Sequence, residues 1–508
     1  MKQTFSLIAA KRPRLSALAA ASALVLLSAC ASQHGITSHA TVKAIAELTG
    51  VEKLAQAQNS WPDTQWATQI GGKPLQELID TALADNPGLQ AATTRIDAAR
   101  ALRTVVRAYQ KPGLALSAGS TYQRFTEHGL VPPPLAGTYD TDNSVTLGTS
   151  YEFDFWNKHS AELRAVLSQE KMAEAERQSA RLSLSTAIAR TWLQLARQYQ
   201  QLALSEQQLQ LRQELDGLTA RRVKAGLDNE TDVQQSLLQL SALKNEINSW
   251  HEAIALSRNQ LAALLGAGPE RGQQIAIPQL SLKADVTVPS NLQLDLLGRR
   301  PDLVAARWRL EAGQSEVDLA RTQFYPNVSI SAFIGLSSLG LDNFVKSGST
   351  IVGAGPALHM PIFAGDRLRA QLTSKVASYD AAVATYNQSL IEAIHEVADQ
   401  VQNIQGASKQ SQQQMLSLHA AQATVQLAQK RYEAGIANQL PVLLAKSALI
   451  GQQKLATDLS IRYSDSQINL IKALGGGYDM NPELASLPAL ANQTSLPSIS
   501  KSTSEGAQ

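Results

Sequence analysis

The hydrophobic pattern along the chain changes its period several times, and each change predicts a different element. From Leu368 to Ile404 the apolar residues recur every 3.6 positions on average, as on one face of an α-helix. The predicted helix covers Asp366 to Ala434, and residues 157–224 predict a partner of similar length. At 1.5 Å per residue each would extend ~100 Å. That length suits a rod or tube better than a globular core.

A period of two identifies the predicted strands. In Ser144 to Phe155, Val145 and Leu147 alternate with Thr146 and Gly148, and the length fits a tilted membrane strand. Pro356 weakens the prediction of the strand near residues 348–363, because a proline within a strand loses a ladder hydrogen bond. We expect four strands in all, near residues 113–125, 143–155, 326–338 and 348–363.

The sequence contains an internal repeat. Pro87 and Pro301 begin matching segments, and RRVKAGL at Arg221 is repeated as KRYEAGI at Lys430. Each copy has the same order of helix, two strands and a long helical hairpin, near 157–265 in the first and 365–474 in the second. The predicted organisation is a signal at 1–29, an N-terminal segment at 30–72, repeat 1 at 73–270, a linker at 271–290, repeat 2 at 291–478 and a polar tail at 479–508.

The N-terminus has the order of a secretory signal. Cations precede an apolar stretch, and small residues lead to Cys30. Leu27 to Cys30 resembles the bacterial lipobox, in which the cysteine sulfur carries a diacylglycerol and the new amino terminus is acylated, commonly by palmitate. Ala31, in place of the aspartate that retains many lipoproteins at the inner membrane, fits outward sorting. We therefore expect Cys30 to carry lipid, although a buried structural cysteine is the alternative.

Composition narrows the possible partners and sources of stability. The signal holds four cations and no acids, so the chain from Cys30 onward has 41 Lys and Arg against 43 Asp and Glu. This balance gives no support to a nucleic-acid partner. Because Cys30 is the only cysteine, no disulfide can form within the chain. Stability must come from packing and assembly.

Four strands cannot close a barrel in lipid by themselves. Every strand edge in a membrane must be paired, and single-chain barrels begin at about eight strands. The chain must therefore oligomerise. Two copies would provide about eight strands and three copies about twelve, and the strand pattern alone does not decide between them.

Several motifs together resemble the outer-membrane efflux channels, in the lipoprotein branch that includes multidrug and fusaric-acid-type resistance channels. They are the lipobox, LLGRRPDLVAARW from Leu296, FYPNVSISAFIGLSSL from Phe324, PIFAGDRL from Pro361, and IKALGGGY from Ile471. The resemblance implies an α+β membrane protein: a homotrimer with a twelve-stranded barrel, four strands per chain, continuous with a helical periplasmic tunnel. It also implies a periplasmic adaptor, an inner-membrane pump and outer-membrane lipid as partners.

The resemblance also assigns roles to the hairpin tips, which contact the adaptor in this family. Arg222, Gly226, Arg431 and Gly435 match best, although the glycines could simply cap helices. The family often closes the periplasmic mouth with charged residues near the second tip, where this chain has Leu444 and Ser447. One gate candidate is an acid in the first tip, Asp232. The others are hydrophobic: Leu440, Leu443 and Leu444. They would close the mouth by dewetting, or else simply pack on a neighbouring helix.

Other function classes receive less support. The chain has no nucleophile elbow and no phosphate loop, and HEVAD at His395 lacks the second histidine of a zinc helix. We expect no enzyme activity, no cofactor and no metal. A lipid-anchored periplasmic adaptor or coiled-coil scaffold would explain Cys30 and the long helices, but not the paired strands of membrane length. The sequence does not identify the cargo or the pump class.

Overall fold

The computed structural model describes residues 32–44, 61–279 and 292–478. The predicted signal, Cys30 and the polar tail lie outside these residues, as does part of the linker. No helix within the described ranges is both long and apolar enough to cross a membrane.

In each repeat, shorter helices precede two strands and a long helical hairpin, which is the order expected from the repeat. The first repeat supplies α1 Ala67–Asp85, α2 Pro87–Tyr109, β1 Gly113–Arg124, β2 Tyr139–Glu152, α3 Lys158–Lys224, α4 Glu230–Leu264 and α5 Pro269–Gln273. The second repeat supplies α6 Leu292–Arg299, α7 Pro301–Thr322, β3 Asn327–Leu339, β4 Thr350–His359, α8 Gly365–Glu433 and α9 Leu440–Ala473.

The four strands form one antiparallel sheet in the order β1-β2-β3-β4. Strands β2 and β3 come from different repeats, so the central pairing joins the two copies. Among the described residues, strands β1 and β4 each have one neighbouring strand, so both outer edges of the sheet are open there. Pro356 lies within β4 opposite Ile330, consistent with the confinement of proline to edge strands.

The two faces of the sheet differ in side-chain chemistry. Cross-strand partners share a face, and the register puts Leu116, Leu147, Ile334 and Val352 in one row. We call this side the apolar face, and it also carries Leu114, Val145, Tyr151, Ile330, Leu336 and Leu358. The opposite side, called here the small-residue face, carries mainly Ala, Ser, Thr and Gly, including Ala115, Ser117, Gly119, Ser144, Thr146, Gly148, Ser150, Ser331, Gly335, Gly353 and Gly355.

The described chain divides into two compact units that do not coincide with the two repeats. The sheet belongs to the unit made of residues 32–44, 85–181 and 302–395. Its core packs Val317 of α7, and Phe324 just after that helix, against three residues of α8: Leu368, Leu372 and Val376. The buried Glu170 carboxylate binds Arg103 at 2.6 Å and Arg100 at 3.1 Å, so α2 is tied to α3.

The second unit contains residues 61–84, 182–279, 292–301 and 396–478. Its core includes Leu75 of α1, Trp192 of α3, Leu261 of α4 and Ile468 of α9. Each unit thus contains parts of both repeats. The reason in the sheet unit is the β2–β3 pairing, and in the second unit it is the packing of α9 against α1, α3 and α4.

Candidate functional sites

The first hairpin tip joins α3 to α4 through a turn that requires glycine. Gly226 has a φ of 70°, a left-handed conformation that favours glycine. Its N–H donates to the Val223 carbonyl at 2.9 Å, and the Leu227 N–H donates to the Arg222 carbonyl at 2.9 Å. This pair of hydrogen bonds is a Schellman cap. Gly226 therefore ends α3, which is the structural role that the sequence left open for it.

Two carboxylates hold the rest of the first tip. Asp228 accepts two hydrogen bonds from the Arg222 guanidinium, from Nε at 2.7 Å and from Nη2 at 2.9 Å. The hydrogen bond from Arg222 lowers the pKa of Asp228 below its ordinary value. Asp232 forms a capping box with Asn229, and each side chain accepts from the other residue's N–H. The Asp232 carboxylate thus helps to fix the start of α4.

The second hairpin tip repeats the glycine turn without these carboxylates. Gly435 has a φ of 67°, and the Ile436 N–H donates to the Arg431 carbonyl at 2.9 Å. The positions equivalent to Asp228 and Asp232 hold Ala437 and Pro441. Pro441, near the start of α9, has no N–H that needs an acceptor, so a capping box is not required there. The two tips share a backbone and differ in charge.

Each tip exposes an apolar side chain just after its glycine, at a position that was not among the predicted docking residues. Leu227 is 67% exposed and Ile436 is 71% exposed. The repeated motifs indicate this apolar position, since RRVKAGL and KRYEAGI both end on an apolar residue. An apolar residue following a Schellman glycine often packs on its own helix, so its exposure marks a surface suited to a partner.

The four gate candidates lie in different environments. Leu443 is 1% exposed and packs within the chain, whereas its neighbour Leu444 is 52% exposed. Leu440 is half-buried at the start of α9. Asp232 belongs to the first tip and takes part in its capping box. Leu444 is therefore the gate candidate most open to another chain.

Three helices meet at one carboxylate within the hairpin region. Glu246 of α4 accepts hydrogen bonds through Oε1 from Lys454 of α9 at 2.8 Å, Ser205 of α3 at 2.9 Å and the Trp250 indole at 3.3 Å. Burial acts to raise the pKa of Glu246, but these hydrogen bonds outweigh it and the pKa lies below its ordinary value. The cluster ties α9 to the first hairpin, and nothing in the sequence pattern indicated it.

The described N-terminal residues 32–44 lie along α8 and are called here the N-terminal strap. Arg369 donates to the Ser32 carbonyl, and Gln33 donates to the Tyr325 hydroxyl at 3.2 Å. Further along, the Lys43 N–H donates to the Asn387 side chain at 2.9 Å. The strap therefore begins near the first turns of α8, which follows β4 in the chain. Cys30, two residues before Ser32, lies outside the described residues.

The two repeats match one protein family. A model of the outer membrane efflux protein family matches residues 78–267 and 292–476, which is most of the chain. The chain belongs to this family. The family resemblance drawn from the motifs is confirmed, as is the predicted fold class of four strands per chain joined to long helices. The chain is thus an outer-membrane efflux channel, and the adaptor or scaffold alternative is not favoured.

Individual relatives of the efflux channel agree with the family match. It is 32% identical over 361 residues to the fusaric acid resistance protein FusA of Burkholderia cepacia, covering 70% of this chain and 68% of that one. It is 28% identical over 434 residues to the multidrug resistance outer membrane protein MdtP of Escherichia coli O6:H1, covering 84% and 89%. The crystal structure of the outer membrane protein VceC of Vibrio cholerae matches with a TM-score of 0.75 at 35% identity, covering 82% of this chain and all of that one.

Proposed function

We propose that three copies of the efflux channel close one twelve-stranded barrel in the outer membrane, continuous with a helical tunnel in the periplasm. The observation that carries this proposal is the four-stranded sheet, which has one apolar face and two open edges. In lipid those edges must be paired, because an unpaired backbone group there costs several kcal/mol. Strands β1 and β4 of neighbouring copies would pair, with the apolar face toward lipid and the small-residue face toward the lumen.

The barrel would give passive exit to drugs or toxic small molecules. The names of the relatives refer to fusaric acid resistance and multidrug resistance, which supports this cargo class without choosing within it. An inner-membrane pump would supply the energy, and a periplasmic adaptor would connect it to the channel. The channel itself needs no bond chemistry, no cofactor and no metal.

The adaptor would dock on the two hairpin tips. Arg222 and Arg431 occupy equivalent positions one turn before Gly226 and Gly435. The exposed Leu227 and Ile436 provide apolar contact area beside these cations. Arg431 lacks a counterpart to the Asp228 contact because Ala437 stands there, and we assign it the more direct role with an acidic partner surface.

The periplasmic gate would be hydrophobic and centred on Leu444. Its side chain is about half exposed in the single chain, and three copies around the tunnel axis would form an apolar ring that resists wetting. Leu440 would border this ring, while the buried Leu443 would support it by packing. Asp232, which is held in the capping box of α4, would not be part of this ring and would act on the gate only through its charge.

Cys30 would carry an S-diacylglycerol and an N-palmitoyl group in the outer membrane. The N-terminal strap supports this, because it is attached near the first turns of α8, soon after β4 ends at His359. An anchored cysteine two residues before the strap would then lie beside the membrane end of the barrel. The lipid would hold monomers at the inner leaflet until their strands pair.

Site-specific crosslinking tests the docking arrangement. A photoreactive residue at Arg222 or Arg431, introduced in cells that express the whole system, should capture the adaptor, and mass spectrometry should identify it. Val352, which is 76% exposed on the apolar face, is the matched control and should capture no adaptor. Adaptor capture at Val352, or none at either tip, would contradict the docking proposal.

A further inference from the structure

The small-residue face contains one aromatic side chain at mid-height. Phe333 occupies the centre of β3 and lies between Gly148 of β2 and Gly353 of β4 in the sheet register. A Cβ at Gly353 would lie 2.7 Å from the Phe333 ring, so glycine is required for the ring to lie across β4. Phe333 is nevertheless 45% exposed. The ring is supported from one side and open on the other.

The same face is negatively charged toward the strand ends that lie away from the helices. Asp140 and Asp142 are on this face near the β1–β2 loop, and Glu152 lies at the opposite end beside Lys158 at 2.7 Å. Among the described strand positions of the small-residue face there is no Lys or Arg. Three copies would therefore place six aspartates near the outer mouth.

We propose that Phe333 from each chain forms an aromatic collar in the barrel lumen that binds organic cations with apolar bodies as they leave. The inference rests on the trimeric barrel of the proposed function. The ring faces would attract a cation, and the aspartates beyond them would favour positive over negative cargo. A Leu side chain of similar size at position 333 would provide apolar contact without a π face.

The dimensions of the barrel fit weak binding. Twelve strands about 4.8 Å apart and tilted by about 40° give a barrel about 24 Å across between backbones. One cargo molecule would therefore touch one or two of the three rings at a time. Weak contact of this kind slows passage without trapping the molecule, as conduction through a pore requires.

Thiol labelling tests the direction in which Phe333 points. A charged methanethiosulfonate that does not cross membranes should label Phe333→Cys at least tenfold faster than Ile334→Cys, the neighbouring position on the apolar face. The unsubstituted chain, in which Cys30 is the only cysteine, gives the background labelling. Equal labelling of the two variants would contradict the collar, because Phe333 would then not face the lumen.

Block of the purified trimer in planar bilayers tests cargo binding, with tetraphenylphosphonium as the probe. The block should last at least fivefold less in Phe333→Leu than in the unsubstituted channel, while Phe333→Tyr should stay within twofold. Tetraphenylborate, an anion of similar shape, should block less than the cation. If tetraphenylphosphonium blocks Phe333→Leu for as long as it blocks the unsubstituted channel, and the conductance is normal, the collar proposal is overturned and the channel proposal is not. Absence of conducting trimers in the unsubstituted protein would instead overturn the proposed function.

Discussion

Arg222 and Asp228 form a two-pronged ion pair across the first hairpin tip, with N–O distances of 2.7 and 2.9 Å, and the equivalent pair in the second tip is Arg431 and Ala437. The repeat has therefore kept the backbone turn and changed what fixes it. The first tip is held by side chains, whereas the second presents an arginine without that acid. The two tips should therefore respond differently to a change at the position of this acid.

Asp228→Asn should loosen the first tip without preventing assembly. The substitution removes the charge that holds Arg222, while the Schellman cap at Gly226 remains. We expect several-fold faster hydrogen exchange in residues 225–229, measured by mass spectrometry, with normal trimer yield. Ala437→Asn is the matched control in the second tip and should change exchange little. Unchanged exchange in Asp228→Asn would show that the ion pair does not order the tip.

Glu246→Gln should weaken the contact between α9 and the first hairpin. The variant loses the charge that accepts from Lys454 and Ser205, and we expect a cost of about 1 kcal/mol because the site is only partly buried. Glu252→Gln, on an exposed position of the same helix, is the control. The measurement is the temperature at which the detergent-solubilised trimer dissociates, and equal temperatures for the two variants would contradict this role.

The same site predicts a dependence on pH. The pKa of Glu246 lies below its ordinary value in the folded chain. Its contribution to stability is therefore complete above the unfolded pKa and is lost as pH falls through the folded one. The difference in dissociation temperature between wild type and Glu246→Gln should shrink on acidification. A difference that grows as the pH falls would have the wrong sign for this assignment.

Leu444→Ser should open the periplasmic gate. A hydroxyl in an apolar ring favours wetting, so single-channel conductance or open probability in planar bilayers should rise. Leu443→Ser is a useful comparison because Leu443 is buried. That variant should lower trimer yield with less effect on opening. Identical traces from Leu444→Ser and the unsubstituted channel would remove Leu444 from the gate.

Cys30→Ser, made with an ordinary signal-cleavage site, should reduce the yield of trimers. Without lipid, monomers would leave the membrane surface before their strands pair. The trimers that do form should conduct normally, since the barrel spans the membrane without help from the lipid. The measurement is the ratio of trimer to monomer in membrane fractions. A normal ratio would mean that the lipid is only a tether.

The periodic parts of the sequence located the main elements well. The predicted strand near 113–125 appears as Gly113–Arg124, and Pro87 and Pro301 begin helices as expected. β2 begins at Tyr139, earlier than predicted. Its first residues are mostly polar and show no alternation of their own, but they belong to the strand because they pair with β1. Cross-strand pairing of this kind cannot be read from alternation within one strand.

The candidate sites were less predictable than the fold. The family resemblance made both Leu443 and Leu444 gate candidates, yet one is buried and the other exposed, because neighbouring positions on a helix face different directions. The Arg222–Asp228 pair depends on turn geometry, and the Glu246 cluster brings together residues from three distant segments. Such contacts are set by tertiary packing, which the sequence pattern does not specify.

Three copies should form one membrane barrel, and the gel mobility of the outer-membrane fraction distinguishes this assembly from a monomer. Unboiled samples should migrate as a trimer and boiled samples as a monomer, because closed strand pairing in a barrel resists detergent until heated. A monomer that migrates identically with and without boiling, or a protein recovered in the soluble periplasm, would mean that no such barrel forms.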